Sequence, residues 1–112
     1  MAYDEGLAHR LRAALHARGV GGDAVREQPM FGGLTFMVHG HMCCGVASAG
    51  LMVRAGADGY AAALERSEAR EMDFTGRPLK GMVFVDADGL DDDALAGWVA
   101  RGLDFVRTLP AK

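Results

Sequence analysis

The amino-acid sequence predicts an α+β domain, with three helices set around an antiparallel sheet. Apolar residues recur at helical spacing near both ends of the chain. Between them, residues 24 to 54 combine β-branched and aromatic residues with glycines, the mark of short strands joined by tight turns.

Leu7, Leu11, Ala14 and Leu15 fall on one helical face. Asp4 and Glu5 stand near its start and Gly19 supplies a stop, so the first helix is expected over about residues 4 to 18. In the next segment Phe31, Phe36, Val38, Val46 and Val53 are punctuated by glycines, which predicts a meander of three or four strands. Asp58 is the N-cap candidate of a short second helix that carries Tyr60, Ala63 and Leu64 on one face. The stretch FTGRPLKG from Phe74 reads as a loop, and Lys80 to Val85 as a strand ended by the turn residues DADG. From Asp91 onward, Leu95, Trp98, Val99, Gly102, Phe105, Val106 and Leu109 keep helical periodicity. Three aspartates meet the positive end of that helix dipole, and Pro110 lies beyond its last turn.

A chain of 112 residues is long enough for one domain, expected to span 1–112, and no repeat or linker divides it. Half of the residues are hydrophobic and 24% are charged, enough apolar surface to build a core. With 12 basic and 15 acidic residues the net charge is −3, which gives no support to nucleic-acid binding. No apolar run approaches the roughly 20 residues that cross a bilayer, and the start is acidic where a secretion signal is basic. A cytoplasmic protein without a membrane partner is expected. Cys43 and Cys44 are the only cysteines, too few for a disulfide scaffold.

The stretch MFGGLTFMVHGHMCCGV, Met30 to Val46, concentrates histidines and cysteines in a way that fits a metal site, a reactive thiol or a hairpin tip. The hairpin is the economical reading. Gly40 accepts positive φ and His39 tolerates it, so His39-Gly40 can form a two-residue turn. That register pairs Val38 with His41, Met37 with Met42, Phe36 with Cys43 and Thr35 with Cys44, and puts the two cysteines on opposite faces. His39, His41 and Cys43 are then the metal-ligand candidates. Zinc needs at least three converging ligands, and this hairpin aims only two the same way, so no metal or other cofactor is expected. No Lys, Arg or helix N-terminus adjoins Cys43 in sequence to activate it.

The glycines at Gly32 lack the Lys-Ser/Thr ending of a phosphate loop, and DADGLDDD has its glycine too early for a calcium loop. Arg54, Arg77 and Lys80 form the only basic set near a strand end and a glycine-containing loop, a candidate site for a small anion or an acidic partner. Tyr60 and Trp98 lie on apolar helix faces and are read as core. No catalytic residues are assigned.

With these elements placed, the chain resembles the TfoX N-terminal domain family, related to a regulator of natural competence. The resemblance rests on MAYDEGLAHRLRAAL at the start, MFGGLTFMV and MCCGV in the hairpin, LMVR at Leu51, MDFTGRPLKG from Met72 and WVARGLDF from Trp98. The family commonly carries Asn-Gly-Asn where this chain has His39-Gly40-His41, and Asn is also a favoured turn residue. The resemblance implies a two-layer α/β fold with an antiparallel sheet of about five strands and three helices. The implied order is helix, meander, helix, two strands, helix, similar to secretion-chaperone-like domains. It also implies a non-enzymatic regulatory or protein-interaction module with an unknown protein partner. By this resemblance the 112 residues are expected to form a stand-alone N-terminal domain, without the second domain of the competence regulator.

Self-association as a homodimer is a further expectation. Leu34, Phe36 and Val38 line one face of the hairpin, while Met37, Met42 and Val46 make the other apolar too. Helices on one side alone would leave an apolar face for a two-fold partner.

Overall fold

The computed structural model describes residues 4–30, 33–47, 50–73 and 78–110, and all of their side chains except those of residues 23, 30, 72, 73 and 78–80. Helix α1 spans Glu5–Ala17. Strands β1 (Val25–Met30), β2 (Gly33–Val38), β3 (His41–Ala47) and β4 (Gly50–Arg54) follow, then α2 (Gly56–Leu64), β5 (Ala69–Asp73), β6 (Pro78–Asp86) and α3 (Asp92–Val106). All strand pairs are antiparallel, in the order β1-β2-β3-β4-β6-β5. After α2 the chain thus runs to the far edge as β5 and returns as β6 beside β4.

The helices form where the periodicity places them. Asp4 caps α1 by accepting from the Leu7 N–H at 3.1 Å, and Asp91 caps α3 through the Ala94 N–H at 2.8 Å. Leu7, Leu11 and Leu15 of α1 and Leu95, Val99 and Leu103 of α3 are buried against one face of the sheet, where Phe36, Val46, Leu51 and Val83 also point. At about 1.5–3 kcal/mol for each fully buried aliphatic side chain, this layer is the main source of stability.

Three expectations change. Among the described residues the sheet has six strands where about five were expected: β5, Ala-Arg-Glu-Met-Asp, is a short charged edge strand with little apolar alternation to mark it. Strand β6 starts at Pro78, so Pro78 and Leu79 are strand where the sequence read loop; the preceding residues 74–77 lie outside the described residues. Helix α2 begins at Gly56 with no side-chain cap, and Asp58 sits in its first turn instead of at the N-cap. Gly56, at φ +77°, lets the chain turn straight out of β4 into the helix, beneath the Phe105 ring.

Candidate interaction surface

His39 and Gly40, at φ 52° and 85°, make the two-residue turn expected of them. Val38 pairs with His41 and Met37 with Met42, but then the register slips: Phe36 stands opposite Cys44 and Thr35 opposite Gly45. Cys43 is the extra residue of a β-bulge. In a bulge two residues oppose one, so Cys43 and Cys44 share the helix-covered side, both fully buried, and the expected separation of the thiols is corrected. Burial adds to a hydrogen bond with Cys43, the larger cause, in pushing the Cys44 thiol well above the ordinary thiol range.

The bulge also sends Val46 to the helix side, away from Met37 and Met42. Arg54 attends to its edge: Nη1 donates to the Met42 carbonyl at 3.4 Å, and the guanidinium lies 5.0 Å from the Phe105 ring centre.

The three metal-ligand candidates have separate surroundings. His39 is exposed in the turn, Cys43 is buried, and the Nε2–H of His41 donates to the Pro110 carbonyl at 2.6 Å. Among the described residues no group of three or more His, Cys, Asp or Glu side chains is arranged to hold a metal ion. In the basic set, Arg77 and the Lys80 side chain lie outside the described residues; Arg54 has the partners just given.

Trp98 is a core residue, as expected, and its Nε1–H donates to Glu68 at 3.2 Å. Glu68 is held below the usual carboxylate range, first by its own backbone N–H and then by Trp98 and Arg66, against the opposing effect of burial. DADGLDDD is a turn and helix start: Asp86 accepts from the Asp88 N–H at 3.0 Å, and Asp91 caps α3.

The sheet face turned away from the helices is built by register. One row across all six strands reads Gln28, Thr35, Gly45, Met52, Phe84, Arg70, and beside it run Arg26, Met37 and Met42. Ala47, Met52 and Met82 are buried here and form a second, smaller core, against which Met42 and Phe84 pack. Glycine shapes it: Phe84 lies across Gly50, where a Cβ would come within 2.1 Å of the ring, and the Met52 methyl lies across Gly45. Met37, Met42 and Phe84 are half-buried, while Arg26, Gln28 and Arg70 are exposed. The buried residues of all three described helices, glycines aside, belong to the other core. The sequence reading found the hairpin part of this face but missed Met52, Met82 and Phe84. Their alternation with Val53, Val83 and Val85 was the available signal.

Fold and surface together define a two-layer α+β domain in which Asp4 and Asp91 cap helices, Glu68 accepts from Trp98, and Cys43 and Cys44 are packed in the core, with an apolar sheet face set apart from the helices. The family model of the TfoX N-terminal domain matches residues 19–106, and the chain belongs to that family. No curated protein and no solved structure matches it. Among the described residues, no helix is long and apolar enough to cross a membrane.

Proposed function

We propose that the chain works as a non-enzymatic regulatory or protein-interaction module, and that it docks through the second sheet face. The observation that carries this reading is the half-buried set Met37, Met42 and Phe84 around a buried methionine centre that no described helix covers. Methionine side chains are flexible and polarisable, suited to fitting a partner surface. A cytoplasmic setting agrees with two free thiols. Co-purification from native lysate with the wild type and with Met37→Asp tests it. A stoichiometric protein partner that the variant loses is the expected result; an identical set of captured proteins from both would overturn it.

A second copy of the chain is the other occupant this face admits, as a homodimer. Its support is smaller than the sequence reading gave, because Val46 has left the face and Met52 and Met82 are already buried within one chain. Sedimentation equilibrium at micromolar concentration decides it: a dimer mass lost on Met37→Lys supports self-association, and a monomer mass removes it. An anion site built on Arg54, Arg77 and Lys80 has less behind it, since Arg54 already serves the Met42 carbonyl and Phe105. An increase in melting temperature with inorganic phosphate, lost on Arg77→Gln, would favour that site.

A further inference from the structure

From the charge of the second sheet face we infer its occupant: an acidic amphipathic segment of another protein, apolar on one side and carrying carboxylates toward both ends. The inference rests on the docking role proposed above and names the partner's chemistry. The whole chain has a net charge of −3, yet among the described side chains that register assigns to this face Arg26 and Arg70, one at each edge, meet a single carboxylate, Asp86, while the Arg54 guanidinium turns to the Phe105 ring on the helix side. Arg26 is exposed on edge strand β1. Arg70 is exposed on the opposite edge strand, β5, with its guanidinium 4.7 Å from the centre of the Phe84 ring. The apolar strip of Met37, Met42 and Phe84 lies between two cationic borders.

Two consequences separate the candidate occupants. A second copy brought face to face by a two-fold axis sets arginine edge against arginine edge, whether the axis runs along the strands or across them. Like-charge juxtaposition of that kind selects against self-pairing. A partner with carboxylates toward both ends meets guanidinium at both borders, where Arg forms charge-assisted, bidentate hydrogen bonds. Five inter-strand steps of about 4.8 Å separate β1 from β5, about 24 Å in all. A helix covers that span in about 16 residues.

The test uses the intact protein with 13C-labelled methionine methyl groups, since Met37, Met42, Met52 and Met82 are reporters on this face. The probes are two synthetic amphipathic peptides of about 16 residues with the same leucine stripe, one with glutamate and one with lysine at the polar positions. The proposal predicts that the glutamate peptide shifts the Met37 and Met42 methyls and binds at least about tenfold tighter than the lysine peptide. It also predicts that salt weakens the binding. In Arg26→Glu, and more fully in Arg26→Glu/Arg70→Glu, the preference should invert; the wild-type methyl pattern in the free variant shows that the fold is kept. Equal binding of the two peptides overturns the acidic partner and leaves the docking face standing. Methyl shifts that change on dilution without peptide assign the face to a second copy and likewise overturn it. Absence of any methyl response to either peptide or to dilution counts against the docking reading itself.

Discussion

Gly102 of α3 lies against the backbone of Cys43: a Cβ at Gly102 would stand 2.8 Å from the Cys43 carbonyl oxygen and 3.1 Å from its Sγ. The bulged strand and the helix meet at a point with no room for a methyl group. In an exposed helix interior Gly→Ala stabilises by about 0.5–1 kcal/mol. At Gly102 the sign should reverse, with overpacking costing about 1–3 kcal/mol. Gly97 in the same helix is the control, because no atom of the described residues lies within 4 Å of its Cβ position. Urea midpoints of Gly102→Ala and Gly97→Ala should move in opposite directions; a stabilised Gly102→Ala would mean that the helix and the bulge are not in contact.

The paired thiols should be inert in the folded protein. Both are fully buried, and Cys44 is pushed toward its neutral form by Cys43 and by burial. A thiol-reactive dye should label neither under native conditions and both in denaturant. Rapid native labelling of one thiol would contradict the placement of the bulge.

Thr35 is fully buried, and its hydroxyl has no hydrogen-bond partner among the described residues. An unsatisfied buried polar group costs about 1–3 kcal/mol. Thr35→Val keeps the shape and removes the hydroxyl, so the melting temperature should rise. A fall would show that the hydroxyl has a partner in solution.

Glu68 sets part of the acid limb of stability. Its carboxyl is held below the usual carboxylate range in the folded state, so as pH falls the unfolded chain takes up the proton first. The stability that the ionised group supplies is present above the ordinary carboxylate range and is lost as pH falls through the folded-state value. Glu68→Gln keeps an acceptor for the Trp98 N–H but does not titrate. Unfolding free energy against pH should therefore fall less steeply on the acid side for the variant than for the wild type; equal slopes would remove Glu68 from this role.

The helices were legible because Leu7, Leu11 and Leu15, and later Leu95, Val99 and Leu103, repeat at the helical period with Asp4 and Asp91 ahead of them. The hairpin was legible at its turn, where His39-Gly40 fixes the first two pairs. Beyond that the sequence misled, because a bulge is one extra residue with no composition of its own, and everything after Cys43 in the strand changes face. Strand β5 was hidden for a different reason: an edge strand is charged to prevent pairing with other chains, which erases the alternation that marks a strand. The second apolar face could be read only in part, since Met52, Met82 and Phe84 meet Met42 through strand pairings distant in sequence.

Whether this protein acts through the second sheet face can be read by photo-crosslinking in the native host. A benzophenone side chain would replace in turn Met37 on that face, His39 at the hairpin tip and Ala13 on the exposed side of α1. One discrete, reproducible protein adduct is expected from Met37 and none from His39 or Ala13. An adduct from His39 or Ala13 alone would contradict it, as would the same adducts from all three positions.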